Sequence, residues 1–553
     1  MRIIKARFRA TWLGGIIALA VLCAAPQGRC EDSSNTNSNS TTDPLLDLFI
    51  KKGFVTQQEA EQVEAEAKFN QTNQLANAAF PPSRWKITEG INHVELFGDV
   101  RLRYEDRSAE DPVGDSVDEQ RYRYAVRFGL RGEAFDHFYY GLRLETAANP
   151  RSPWVTLGTS TSGGVYQGPF GKSTSSINFG QAYLGWQPWD WLDVTVGKMP
   201  NLLYTTPMVW DTDINPEGAV ERFKYTVGQA DVFATLGQFF YADFNPNSAS
   251  AGLGLGTIGG GTAAGLGQKT DNIFMFAWQG GLNYHITTNT SAKIAATLYN
   301  YIGLQQSSKN TQSSLAPYFG DPYIGEGAYY LEGGAPFAPG YSGFGTSAPS
   351  TAYGYQSVSY PLNQVGLNHL LVVEIPFEFD FKISKLDAQV FGDAAYNLQG
   401  AQRAEDAANA YQAVQAAQTI PAPLPHSFSP QKNDVKAYLI GVDLASQGGR
   451  GLVYGTTSRK NAWEVRTYWQ HVEQYALDPN LVDSDFFEGA ENLEGVYVAV
   501  AYGFTDNFIG TFRYGHASRI NDLLGTGGSN QDLPWINPIN TYDLFQFDLT
   551  FRF

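Results

Sequence analysis

The chain is poor in cysteine, in charge and in long apolar runs, and each shortage excludes a class of protein. Only Cys23 and Cys30 occur in 553 residues, so neither a disulfide framework nor a thiolate metal site can be built. Beyond the first 25 residues no run of 18 or more apolar residues follows, which leaves no helix able to cross a bilayer. Charged side chains are held to 17%, and the formal net charge of −17 has the wrong sign for a nucleic-acid partner. The seven histidines, at 93, 137, 285, 369, 426, 471 and 516, are scattered. None belongs to a His-Glu-x-x-His pattern or a recognisable serine motif. A surface serine–histidine pair would need residues brought together by folding, so no catalytic residue, metal site or cofactor is expected.

What is abundant points to strands. Aromatics reach 14%, with 31 Tyr and 35 Phe, and there are 57 Gly, a composition suited to strands and turns rather than helical bundles. The N-terminus reads as an export signal over 1–25. Arg2, Lys5, Arg7 and Arg9 precede the apolar stretch 12–25, and small residues then offer a cleavage site. Its removal takes the formal charge from −17 to −21. Residues 26–43 are polar and low in complexity, as in a flexible spacer. A helical module is expected over 44–75: Leu45, Leu46, Phe49 and Ile50 form an apolar face, and Thr56 with Glu59 matches a capping box opening a helix over 57–69. It reads either as a small packed hairpin or as an oligomerisation or cell-wall contact.

From residue 93 the period changes to two. Val94, Leu96, Val100, Leu102 and Tyr104 alternate with Glu95, Asp99, Arg101, Arg103 and Glu105. Tyr122, Tyr124, Val126, Phe128 and Leu130 then alternate with Arg121, Arg123, Arg127 and Arg131, and Phe138 to Leu144 with Arg143 and Glu145. Such alternation marks two-faced strands. Carried to the C-terminus, it predicts about sixteen strands, within a range of 14 to 18, over 90–553. Tight links alternate with long ones, the long ones near 106–120, 148–175, 201–218, 242–272, 304–362, 400–433, 476–492 and 518–540. The link over 446–460 is longer than a turn should be. This pattern suits an all-β, antiparallel transmembrane barrel with short turns at one mouth and long loops at the other.

Magnitudes orient the wall. An arginine facing lipid near mid-membrane costs roughly 2–4 kcal/mol, so four on the strand from 121 to 131 would cost on the order of 10 kcal/mol. The apolar face must meet lipid. The charged face must then look inward, into water, since a dry core cannot accept unpaired charges. Sixteen strands leave room for an aqueous channel.

The terminal segment 541–553 places Phe545, Phe547, Leu549, Phe551 and Phe553 on alternate positions, which resembles the C-terminal signal by which outer-membrane barrels are recognised for insertion. With the export signal, the helical stretch LLDLFIKKGFVTQQEAEQVEAEA and VELFGDVRLRYEDR opening the barrel, the chain resembles the family of putative porins of bacterial outer membranes. The resemblance implies a channel in the outer membrane and carries over no ligand site. The expected wall of that channel is an arginine ladder of Arg101, Arg103, Arg121, Arg123, Arg127, Arg131 and Arg143, with Glu133 and Glu145. It either attracts anions or pairs with Asp99, Glu105, Glu133 and Glu145 and stiffens the wall. The loop over 304–362 either folds inward, with Asp321 and Glu326 facing the ladder, or caps the outside. The glycine-rich 251–267 lacks a phosphate-loop ending, and the pairs Asp211/Asp213 and Asp483/Asp485 read as solvated loop acids rather than a calcium site. Passive diffusion of small hydrophilic solutes, favouring anions where the arginine ladder dominates, is the leading expectation. A channel for an acidic saccharide polymer and a non-conducting envelope anchor or adhesin are the alternatives. Outer-membrane lipid is the expected surrounding, and the analogy with sixteen-strand porins implies a homo-oligomer, a trimer.

Overall fold

The computed structural model describes residues 91–553 apart from 111–113, 115, 136, 148–151, 159–160, 163–164, 167–175, 243–272, 303–368, 407, 409–429, 523, 525 and 527–538. The expected signal, spacer and helical module, the loop over 304–362 and the glycine-rich 251–267 lie outside the described residues.

Strands dominate. β1 (Ile91–Glu110), β2 (Ser116–Ala134) and β3 (Phe138–Ala147) come first, followed by three two-residue pieces, β4 (Val155–Thr156), β5 (Thr161–Ser162) and β6 (Val165–Tyr166). Next are β7 (Ser176–Trp189), β8 (Leu192–Lys198), β9 (Glu217–Val227), β10 (Ala230–Ala242), β11 (Ile273–Thr287) and β12 (Thr290–Ile302). β13 (Leu371–Glu374), β14 (Phe377–Ile383), β15 (Leu386–Asn397), β16 (Lys436–Ser446), β17 (Trp463–Val472), β18 (Leu493–Gly503), β19 (Phe508–Arg519) and β20 (Thr541–Arg552) complete the set. β13 and β14 form one stave, since both pair with β12 and β15. Pro376 splits it, having no N–H to give the ladder. The Ile375 N–H to Ala394 and the Ala295 N–H to the Pro376 carbonyl keep the stave in place.

β20 pairs with β1 from Asp99↔Arg552 to Glu110↔Thr541, so the sheet closes into an antiparallel barrel of sixteen staves. The seam depends on a glycine. The Gly98 N–H donates to the Phe553 carbonyl at 3.0 Å, and a Cβ at Gly98 would meet the Phe553 ring at 2.6 Å. The terminal aromatic therefore lies across β1 where only glycine leaves room.

At one mouth the links are tight, as at 190–191, 228–229, 288–289 and 384–385. Gly228 supplies the left-handed residue (φ +61°) that a two-residue hairpin demands. The long loops leave from the other mouth, with one correction. The loop expected over 106–120 shrinks to 111–115, because strand pairing runs on to Glu110↔Ser116 and opposite charges face one another across the hairpin, Arg107↔Glu119 and Glu105↔Arg121. The long connection expected at 446–460 is real, spanning 447–462 at the short-turn mouth.

The two faces separate as the alternation requires. Leu102 is 51% exposed on the outside, whereas Arg103 beside it is 4% exposed and Glu105 fully buried. Phe128, Trp278, Ile440 and Val500 are likewise exposed. The inside departs from the wholly polar bore expected. Val220, Phe239, Met275, Tyr299, Phe391 and Leu439 point inward and pack with Met208, Trp210, Leu477 and Phe486 in one apolar cluster. The loops 199–216 and 473–492 enter the barrel and cover this wall, so the apolar side chains there are removed from water.

Leu102→Arg places a charge among outward apolar side chains well inside the hydrophobic band. It is expected to lower stability by roughly 2–4 kcal/mol, read from urea unfolding in lipid vesicles, while Arg101→Leu on the opposite face should not incur this lipid-burial cost.

Candidate functional site

Two loops meet inside the barrel and tie its opposite walls together. In 199–216, the Asp211 carboxylate accepts the Asp213 N–H at 2.8 Å, a turn that aspartate forms readily. The same carboxylate accepts the Ser484 N–H and hydroxyl, at 3.2 and 3.0 Å, from the second loop. Backbone bonds complete the clasp: the Asp211 N–H donates to Leu481 and the Asp483 N–H to Pro207. The two Asp-x-Asp pairs therefore come together from 272 residues apart in sequence, which no local signal reveals. Among the described residues no group of histidine, cysteine and acidic side chains is arranged to hold a metal.

The first loop is fastened to the wall of β11–β15. Gln279 on β11 imitates a strand edge, donating to the Tyr204 carbonyl and accepting its N–H, at 2.8 and 2.9 Å. The Thr205 hydroxyl donates to Glu374, and the Thr206 hydroxyl to Asp393 at 2.6 Å. Lys293 lies 3.7 Å from the centre of the Tyr204 ring. In the second loop Asp478 accepts the hydroxyls of Tyr241 and Tyr301, both at 2.8 Å. Its far end reaches the opposite wall, where Asp485 binds Arg103 at 2.7 Å and approaches Arg107 at 3.5 Å.

The arginines of the sequence pattern all stand on the inward face of β1–β3, and each has a carboxylate. Arg101 contacts Asp99 at 2.7 Å, and Arg127 contacts Asp99 at 3.0 Å and Asp213 at 3.6 Å. Arg123 meets Glu105 at 3.3 Å, Arg121 meets Glu105 and Glu119, Arg131 meets Glu95, and Arg143 meets Glu145 at 2.9 Å. Glu133 is exposed near the short-turn mouth. Towards the long-loop mouth the cluster is dry: Arg103, Glu105 and Arg107 are almost wholly covered, and Trp154 lies 4.0 Å from the Arg103 guanidinium. Lower down, water reaches Arg101, Arg127 and Arg131, and the Asp485 side chain is 32% exposed.

Sequence reasoning missed Arg107, placed in a supposed loop, and Asp548, which binds Arg103 at 2.8 Å and also Arg513. Asp548 alternates with the outward Phe547 and Leu549, so the period of two carried through the last strand would have found it. Phe545, Phe547, Leu549, Phe551 and Phe553 share the outward face, while Tyr542, Leu544, Gln546 and Asp548 are buried on the inner one.

The loop acids differ sharply in charge. Burial and the neighbouring charge of Asp483 push the Asp211 carboxyl well above its ordinary range, and burial with the charge of Asp485 pushes Asp483 up to about 7. Burial also opposes ionisation of Asp485, but Arg103, Arg107 and Arg513 override it and hold that carboxyl low. Asp485 thus carries the negative charge facing the arginines, and the clasp holds together best with Asp211 and Asp483 uncharged.

A closed barrel, apolar outside and crossed inside by loops fastened to charged walls, is the build of an outer-membrane channel. The family model described as putative porin matches residues 109–317 and 374–553, well over half of the sequence, and the chain belongs to that family. Among solved structures, Salmonella typhi OmpF in complex with daunomycin is similar over 85% of this chain and 100% of its own, with a TM-score of 0.39 and 8% identity. OmpT, an outer membrane protein of Vibrio cholerae, covers the same shares with a TM-score of 0.36 and 9% identity. No curated protein matches.

Raised carboxyl pKa values favour the clasped form while the groups are neutral, so its stability is complete below about pH 4 and is lost as pH rises through about 7. Current through single channels is expected to fluctuate more at about pH 8 than at about pH 5, and Asp483→Asn should remove the difference. Equal quiet at both pH values in the unmodified protein would contradict the clasp.

Proposed function

We propose that the barrel is a porin through which small hydrophilic solutes diffuse passively, along the wet strip beside the arginine wall of β1–β3 where it meets the loop acids Asp213 and Asp485. The observation that carries this reading is the partial exposure of Arg101, Arg127, Arg131, Asp213 and Asp485 inside a closed barrel, where solvent reaches paired charges of opposite sign. Opposed charges orient polar solutes and let both ion signs pass.

Any anion preference should be modest, because each arginine of the ladder already holds a carboxylate. That pairing also weighs against a bore dedicated to an acidic saccharide polymer, which would need guanidinium groups turned to the ligand. On this reading residues 1–25 direct export, 26–43 are a spacer and 44–75 stand in the periplasm. β1 begins at the short-turn mouth, where Ile91 pairs with Ala134 beside the turn at 135–137, and short turns face the periplasm in such barrels. The outward run from Phe545 to Phe553 serves as the insertion signal.

Purified protein in planar bilayers should give discrete conductance steps. Arg127→Gln with Arg131→Gln removes the ion-pair partners of Asp213 and Glu95 and leaves Asp99 to Arg101 alone, and should move the reversal potential in a salt gradient towards cation preference. An absence of steps would end the channel reading, and an unchanged reversal potential would remove these arginines from the conducting path.

A further inference from the structure

One connection at the short-turn mouth breaks the barrel's rule. Where other links there need two to four residues, 447–462 runs on and turns inside, burying Leu452 and Val453 completely or nearly so. It is tied to inward-facing groups on staves from β14 round to β20. Glu464 on β17 accepts the N–H groups of Gly451 and Val453 at 2.9 and 2.6 Å. Arg513 on β19 donates to the Val453 carbonyl at 3.0 Å, and Arg552 on β20 to the Thr457 carbonyl at 3.4 Å. In the other direction Arg450 reaches Asp380 on β14 at 2.8 Å and the Ala388 carbonyl on β15 at 2.9 Å.

These anchors hold a tight tip. Gly451 and Gly455 both adopt positive φ, at +91° and +63°, a conformation other residues take only under strain. The Thr456 N–H closes the turn onto the Gly451 carbonyl at 2.8 Å. Tyr454 stands at the tip, 36% exposed, with the Arg466 guanidinium 5.2 Å from its ring and the same guanidinium 3.5 Å from the ring of Phe391. Carboxylate-bound amides and a guanidinium stacked on an aromatic ring are rigid supports for a protruding side chain. A loop that merely closed a hairpin would need none of them.

We propose that 447–462 forms a second constriction, built from the short-turn mouth, and that Tyr454 is its rim and a determinant of solute size. This inference rests on the channel reading. The loop fills the sector from β14 round to β20, the same sector that 473–492 enters from the opposite mouth. A solute therefore passes two narrowings in series, and the passage is displaced towards the arginine wall of β1–β3.

The test uses the full chain in planar bilayers and in liposomes swollen with neutral sugars of graded size. Two variants are compared with the unmodified protein: Tyr454→Ala, which leaves every anchor in place, and replacement of 449–457 by an Asn-Gly turn. Both should shift unit conductance upward and let larger sugars pass, the shortened loop more than the single substitution. A heat-dependent shift in gel mobility certifies that each variant has folded; if the shortened chain does not fold, Tyr454→Ala decides alone. Conductance and size limit equal to the unmodified protein in a folded Tyr454→Ala variant overturn the second constriction and leave the channel intact. Failure of the unmodified protein to conduct overturns both.

Discussion

Hydrocarbon offers no partner to a peptide group, and the rest of the structure follows from that. Each N–H and C=O at membrane depth must be satisfied within the wall, which for strands means a sheet without edges. Pairing of β20 with β1 supplies the closure, and Gly98 makes room for Phe553 at the seam. Closure in turn forces every second residue outward, so the segregation of Leu102 from Arg103 is a consequence of the ladder and not a separate device.

The inside answers a different demand. Charges turned away from lipid but sheltered from bulk water are costly unless paired, and here the partners come largely from neighbouring staves and entering loops. Arg103 is the clearest case, shared between Asp548 of the wall and Asp485 of the loop. The same contacts that satisfy the arginines therefore hold the loops across the lumen. Stability of the wall and shape of the passage are set by one network, and the apolar patches around Met275 and Phe391 are tolerable because the loops lie over them.

Much of this was legible in the sequence because lipid outside and charge inside give a strong period of two. The starts of β3, β7, β11, β18 and β20, at 138, 176, 273, 493 and 541, fall where the alternation or the end of a long link places them. The hairpin of β1 and β2 ran further than expected because its upper residues are polar on both faces and look like loop. The clasp was invisible for another reason. Asp211 and Ser484 are brought together only by closure of the whole barrel, and nothing local distinguishes an acidic loop that enters the lumen from one that stays in solvent. The inward Phe239, Met275 and Tyr299 weakened the alternation on β10–β12, and their cover could not be foreseen without the loops.

The central claim is the assignment of the two faces, and site-directed labelling tests it most directly. In a background with both Cys23→Ser and Cys30→Ser, single substitutions Leu102→Cys, Phe128→Cys, Arg127→Cys and Arg131→Cys are compared in folded protein in lipid vesicles. The account predicts that a charged, water-soluble thiol reagent modifies the thiols at 127 and 131, whereas a fluorophore attached at 102 or 128 is quenched by nitroxide-bearing lipid tails. Lipid quenching at 127 and 131 with aqueous labelling at 102 and 128 would contradict it.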